Sequence, residues 1–216
     1  TPTPIVAMFS VVPKLAGFGF LIHWVDWLGW PVEEMALLAI LTMSIGNFAA
    51  LRQKSVKRMM GYSSIAHSGF LLMALLNPES SSIFFFYATI YAVMNLAAFL
   101  LINYYERNYK LQTFKDYNGY FQLSPYFGIM VIVIMISLTG LPPTAGFTAK
   151  LFLFSGVAGT YQSTESAILL IALLFGILNA VVSFAYYIQL PYRMIFKKMN
   201  SAGNVFKKYS SIENYL

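Results

Sequence analysis

The chain contains no cysteine, so disulfides, thiolate-bound zinc and iron–sulfur clusters have no ligands here. With the clusters go the usual protein-borne one-electron carriers. Charge is also scarce: charged residues make up 10% of the 216, against roughly 25% in an ordinary soluble domain. Carboxylates are the rarest, eight Asp and Glu in all, and none falls inside an apolar run of spanning length. There is no GxGxxG, no Walker A sequence and no His/Asp/Glu cluster with metal-ligand spacing. These absences predict a chain with no cofactor or metal of its own and no redox or phosphoryl chemistry on it.

Apolar surface is what the chain has, with 58% hydrophobic and 17% aromatic residues. Apolar runs at about residues 4–25, 35–51, 59–76, 82–104, 123–157 and 166–192 predict an all-α, polytopic transmembrane bundle of about six helices with lipid as its main solvent. Thr3 before Pro4 reads as an N-cap with proline at the first helical position, and Asn77-Pro78 ends the third run. The phenylalanine and methionine runs, such as Phe84-Phe85-Phe86, read as lipid-facing or packing residues. Residues 1–196 form one transmembrane unit in this reading, and 197–216 a basic, then polar, tail. The opening TPTPIVAMFS lacks an initiator Met and a basic n-region, so it is no signal peptide and is expected to continue a longer chain.

A net charge of +6 raises nucleic acid as a partner, but the loops explain it otherwise. Arg52, Lys54, Lys57 and Arg58 follow the second run, Arg107, Lys110 and Lys115 the fourth, and Arg193, Lys197, Lys198, Lys207 and Lys208 the sixth. Asp26, Glu33, Glu34, Glu79 and Glu165 occupy the intervening connections, which hold no basic residue. Twelve of the 14 Lys and Arg thus lie on one side. The positive-inside rule puts the start of the first helix and the C-terminal tail in the cytoplasm or matrix. Lys14 and Lys150 remain.

The fifth run, Leu123 to Val157, would extend about 50 Å as one helix, beyond a hydrocarbon core of about 30 Å. Its centre, Gly140-Leu141-Pro142-Pro143-Thr144-Ala145-Gly146, removes helical hydrogen bonds and disfavours helix before each proline. The sequence predicts a helix discontinuous around Gly140–Gly146. Unwound backbone at membrane depth is tolerated where protein or a water-filled cavity satisfies it, so the break points to an ion or substrate path.

Lys14 lies about 15 Å into a helix that starts at Pro4. Lys150 follows the break and is about ten residues from the outer surface, too deep to snorkel. Each charged lysine near the midplane costs on the order of 3 kcal/mol on insertion scales, so its placement needs a reason. One reason is proton relay, since a desolvated amine can lose and regain a proton near neutrality. The other is structural, an ammonium held by a carboxylate or by carbonyls at a helix break. His67, midway along the third helix with Ser63, Ser64 and Ser68 on its stripe, can accept and donate a proton. It can equally be a neutral histidine bonded between helices. His23, with Trp24, Trp27 and Trp30, reads as part of an interfacial belt. Asn47, Asn95 and Asn179, with Tyr91 and Ser183 a turn from the last two, serve either to hold water between ionisable groups or as interhelical glue.

At these residues a resemblance appears. The segment Gly46-Asn47-Phe48-Ala49-Ala50-Leu51-Arg52-Gln53-Lys54-Ser55-Val56-Lys57-Arg58, continuing through Gly61-Tyr62-Ser63-Ser64-Ile65-Ala66-His67-Ser68-Gly69, resembles the antiporter-like membrane subunits of respiratory complex I (NADH:quinone oxidoreductase). So do Thr1-Pro2-Thr3-Pro4 to Lys14 and Gly140-Leu141-Pro142-Pro143 to Lys150. The Arg-Gln-Lys-Ser phrasing and Lys150 are most similar to the subunit N branch, subunit 2 in mitochondria.

The resemblance implies the C-terminal part of a fourteen-helix protein, from its eighth helix to its thirteenth. It also implies proton translocation with Lys14 as the connecting group, His67 as the bridge and Lys150 as the terminal donor. NADH, FMN, iron–sulfur clusters and quinone would sit on other subunits, and the partners would be the bilayer, other membrane-arm subunits, protons and water, with no nucleic acid. The family's N-terminal half-channel glutamate and lysine, and its fourteenth helix, have no counterpart here. The rival readings are a subunit of a multisubunit sodium/proton antiporter and a purely structural membrane anchor.

Overall fold

The computed structural model describes the backbone of residues 2–28, 32–76 and 80–198, and the side chains of 2–22, 32–76 and 81–198. The expectations for His23, Trp24, Trp27 and Trp30, for Asn77-Pro78 and for residues 199–216 lie outside what is described. The chain is an all-α bundle: α1 (Thr3–Leu28), α2 (Val32–Leu51), α3 (Val56–Ala74), α4 (Ser80–Tyr109), α5 (Pro125–Thr139), α6 (Ala145–Thr164), α7 (Ala167–Tyr187) and α8 (Gln189–Phe196), with a short 3-10 turn at Tyr120–Gln122. Among the described residues the only β pairing is one isolated bridge between Ser55 and Thr113.

The polytopic all-α bundle is as expected; among the described residues four stretches are apolar and long enough to cross a membrane alone, Thr3–Ile22, Val32–Leu51, Ser81–Tyr109 and Ala167–Phe196, and α3, α5 and α6 are not among them. The exceptions have physical reasons. α3 carries Lys57, Arg58 and a serine–histidine stripe, and most of its side chains are buried against other helices rather than facing lipid. The fifth run breaks between Thr139 and Ala145, leaving a 15-residue α5 and an α6 that carries Lys150. Gly140 ends α5 in the left-handed region at φ 81°, and its amide reaches back to the Ile136 and Ser137 carbonyls. That conformation suits glycine and ends the helix cleanly. The Pro142-Pro143 bond is cis.

α2 and α3 form the tightest pair. A Cβ on Gly46 would stand 2.4 Å from the Ala66 amide nitrogen, and one on Gly69 2.5 Å from that of Met43. With no hydrophobic drive between helices in lipid, such backbone approach is what holds them together.

Two apolar clusters fill the bundle. One, toward the basic loops, gathers Ala50, Val56, Met59, Phe99, Tyr105, Tyr117, Met135 and Leu190. The other gathers Met35, Met43, Phe70, Met73, Phe84, Leu153 and Val157. On α2, α3, α4 and α7 the buried polar residues Asn47, Ser63, Ser64, His67, Asn95, Asn179 and Ser183 lie between stretches belonging to the two clusters. The outer faces are apolar, as at Phe9, Ile45, Leu100 and Val181. Of the Phe84-Phe85-Phe86 run, Phe84 packs inside and the other two face outward.

At the basic end, Thr3 is not the N-cap expected of it. It lies in the first turn, 2% exposed, and its hydroxyl donates to the Glu106 carboxylate. Glu106 also pairs with Lys57 at 2.7 Å, because α4 runs on past the expected end near residue 104 to Tyr109. The α2–α3 connection is tied to the segment after α4 by Val56 N–H donating to Gln112 O at 3.1 Å and Phe114 N–H to Lys54 O at 3.1 Å. Asp116 accepts the Thr113 and Gln112 amides at 2.8 and 3.2 Å.

Two outcomes are expected. Gly69→Ala forces a methyl into the α2 backbone and should destabilise the bundle by roughly 1–3 kcal/mol, read as a lower Tm in detergent; an unchanged Tm would contradict the packing described. Partial burial works against ionising Asp116, but the two amides outweigh it and hold its carboxyl below the ordinary aspartate range. Stability from a depressed carboxyl is present above its unfolded pKa and lost as pH falls through the folded one. The Thr113 amide shift in NMR should therefore move on acidification below the usual aspartate range and stay constant in Asp116→Asn.

Candidate functional site

The polar groups join into networks. Lys14 follows Pro13, which lies inside α1 and removes a helical donor. The Lys14 ammonium donates to the Ser64 backbone carbonyl and, at 2.5 Å, to the Ser64 hydroxyl. The Ser64 hydroxyl donates to Ser10 O at 3.2 Å and pairs with the Tyr91 hydroxyl at 2.7 Å. Asn95 donates to Tyr91 Oη at 3.2 Å and Ser10 Oγ at 2.9 Å. α1, α3 and α4 are thus stitched by one string that ends on an ammonium. Lys14 is only half-buried, because Met8, Phe9, Val12 and Leu15 leave the outer flank of α1 uncovered.

His67 is 3% exposed and bonded at both nitrogens, Nδ1 to the Tyr87 hydroxyl at 2.8 Å and Nε2 to the Tyr187 hydroxyl at 3.2 Å. It stacks on Tyr91 with ring centroids 4.7 Å apart. A hydroxyl can donate or accept, so this cradle suits neutral imidazole in either tautomer, and suits imidazolium with both N–H groups donating. A histidine meant to change protonation without losing its partners needs that property. Tyr187 packs against the neighbouring Tyr186, ring centroids 4.5 Å apart, and Ser63 donates to Met60 O within its own helix at 3.0 Å. Tyr186 donates to Asn47 Oδ1 at 2.8 Å, and Asn47 donates to Asn179 Oδ1 at 2.9 Å. Asn179 reaches Ser44 Oγ at 3.2 Å. Ser183, by contrast, bonds its own helix at Ala180 O, 2.6 Å away.

Lys150 is 5% exposed. Its ammonium donates to Thr139 O at 2.7 Å and Leu138 O at 3.3 Å, both at the C-terminus of α5, and it lies 5.2 Å from the Phe70 ring centroid. A cation at a helix C-terminus meets both the unpaired carbonyls and the negative end of the dipole. Of the two structural partners open from sequence, carbonyls at a break are the ones present. Between His67 and Lys150 lies a crevice with about 180 Å³ between atoms, lined also by Tyr87, Tyr91, Met94, Ser137 and Gly146 and nowhere wide enough for a water molecule. Among the described residues no group of three His, Asp or Glu is placed to hold a metal.

Sequence reasoning passed over Ser10, Tyr87, Tyr186 and Tyr187. Ser10 lies four residues before Lys14, and Tyr87-Tyr91-Asn95 repeat every four, so helical spacing carried a signal for these. Tyr186 and Tyr187 gave none beyond the polarity of α7 near Asn179 and Ser183.

The family model described as "NADH:quinone oxidoreductase/Mrp antiporter, TM" matches residues 1–178. The chain belongs to this family. Among its members the chain is similar to the NADH-quinone oxidoreductase subunit N 2 of Sorangium cellulosum, 38% identical over 88% of this chain and 39% of that one. It is also similar to the chloroplastic NAD(P)H-quinone oxidoreductase subunit 2 of Mesostigma viride, 35% identical over 97% of this chain and 42% of that one. It therefore spans about two fifths of the length of these curated relatives. Among solved structures, a chain of respiratory complex I from Thermus thermophilus matches with a TM-score of 0.76 at 29% identity, over 93% of this chain and 44% of that one. A chain of the Mrp complex from Dietzia sp. shares the fold at a TM-score of 0.81 and 18% identity, over 93% of this chain and 37% of that one.

Tyr87→Phe leaves one nitrogen of a buried imidazole without a partner. It should destabilise the protein by about 1–3 kcal/mol, more than Tyr62→Phe on the exposed face of α3, with thermal unfolding in detergent as the measurement.

Proposed function

We propose that this chain is the channel-forming part of a proton-translocating membrane-arm subunit of an NADH:quinone oxidoreductase, and that Lys14, His67 and Lys150 carry the proton. The observation that bears most weight is the single polar layer, which has an ammonium at each end and an imidazole cradled by two hydroxyls between them. The likeness to a chain of respiratory complex I and the names of the relatives support this reading. Asn47, Asn95, Asn179 and Ser64 hold the layer's helices in register, while Ser63 bonds its own helix. Electron transfer from NADH through flavin and iron–sulfur centres to quinone belongs to other subunits, whose protonation and charge changes drive the layer. Each proton then moves against about 2.3 kcal/mol per 100 mV.

In this reading residues 1–196 are the membrane-embedded channel half, its lipid contacts made by the apolar outer faces, with protons and water moving inside. The basic loops and the segment 197–216 face the cytoplasm or matrix. A subunit of a sodium/proton antiporter is the second reading, favoured by the shared fold with the Mrp complex; transport that depends on sodium rather than NADH selects it. Tolerance of both lysines to methionine would select a structural anchor.

In the full-length subunit within its complex, Lys150→Ala should abolish or sharply lower proton pumping while the complex still assembles, and Lys14→Ala should act similarly. An unchanged proton-to-electron ratio in Lys150→Ala would remove Lys150 from the path.

A further inference from the structure

The hydrogen-bonded strings do not meet. From Lys14 the contacts end at Tyr91 and Asn95, and Tyr91 meets His67 through ring stacking rather than through its hydroxyl. From His67 they run to the Tyr87 hydroxyl on α4 and the Tyr187 hydroxyl on α7. Lys150 bonds the α5 carbonyls. Between the imidazole and that ammonium stands the narrow crevice, whose polar wall groups are His67, Tyr87, Tyr91, Ser137 and Lys150.

We propose that this crevice is a binding site for bridging water between His67 and Lys150, closed by the side chain of Met94. This deepens the proposed function and rests on it. Two observations single out Met94. It lines the crevice from α4, and its sulfur accepts the Ser137 hydroxyl at 2.8 Å. The one hydroxyl that α5 contributes to the crevice is thereby turned onto a thioether, a weak acceptor, while its oxygen accepts the Gly146 amide at 3.3 Å. A thioether is a poor partner for a hydroxyl that could face a water between two ionisable groups, so the contact is easily exchanged. Methionine is unbranched, with three rotatable bonds, and can leave the crevice by rotation alone. In the closed arrangement the passage is too narrow for water and proton transfer stops. When Met94 swings away, Ser137 is freed to donate to a water that reaches the Lys150 ammonium on one side and the Tyr87–His67 pair on the other. Such a constriction gates by admitting or excluding water, as apolar gates do in channels. The tight seat of Gly146 against Ser137, where a Cβ would fall 1.8 Å from Ser137 O, keeps the Ser137 wall fixed while Met94 moves.

The test uses the full-length subunit in its assembled complex, reconstituted in liposomes carrying a pH-sensitive dye. Met94→Ala should raise proton leak several-fold with neither NADH nor quinone present, and the leak should vanish in Met94→Ala/Lys150→Ala. Met94→Phe should slow pumping several-fold. Hydroxyl-radical footprinting reads the water itself: labelling of Tyr87 should rise during turnover in the unmodified complex and at rest in Met94→Ala. A Met94→Ala leak that survives loss of Lys150 overturns the proposal, as does Tyr87 labelling that is the same at rest and in turnover. If Lys150→Ala abolishes pumping while Met94→Ala changes neither leak nor labelling, the gate falls and the proton path stands. If Lys150→Ala pumps normally, the path falls and the gate with it.

Discussion

A helix interrupted inside a membrane leaves carbonyls that no amide of its own can meet, and hydrocarbon supplies no substitute. At the end of α5 two of these carbonyls, Leu138 and Thr139, receive the ammonium of Lys150 from the second turn of α6. The break and the lysine stabilise each other: without the amine the carbonyls are bare, and without the carbonyls a buried cation has no counter-dipole. Gly140 makes the geometry possible, because it turns through the left-handed region and a side chain there would strike the aliphatic stem of Lys150 at 2.7 Å. An amine placed this way is bound by dipoles rather than by a fixed charge.

The rest of the bundle repeats that logic at lower stakes. Polar side chains concentrate where the two apolar clusters meet, and most find partners on a different helix: Lys14 on α1 with Ser64 on α3, His67 on α3 with Tyr87 on α4 and Tyr187 on α7, Asn47 on α2 with Asn179 on α7. In lipid such bonds do what hydrophobic burial does in water, fixing which helix faces meet. The layer is therefore structural and, in the proposed reading, conductive at once. The same partners that hold the helices in register are hydroxyls and amides able to relay or orient a proton.

The likeness in fold to the Mrp chain at 18% identity has a simple physical ground. Lipid-facing and packing positions ask only for apolar side chains of about the right volume, so most of the sequence can change while the bundle stays.

Much was legible in the sequence because lipid imposes strict terms. Long apolar runs had to be helices, charged residues had to gather in the connections and the turns beside them, and Gly-Leu-Pro-Pro had to interrupt the fifth run; the fold class, the break and the two lysines follow from these. Helical spacing also placed His67 on one stripe with Ser63 and Ser64. Spacing along one helix says which residues share a face, but never which face of another helix comes opposite. Tertiary packing alone decided that α4 and α7 bring Tyr87 and Tyr187 to the two nitrogens of His67, that Thr3 serves Glu106 instead of capping α1, and that Lys14 is half-covered while Lys150 is enclosed. Those outcomes depend on approaches such as Gly46 to Ala66 and Gly69 to Met43. There the absence of a side chain on one helix matters only because of the backbone that happens to lie against it.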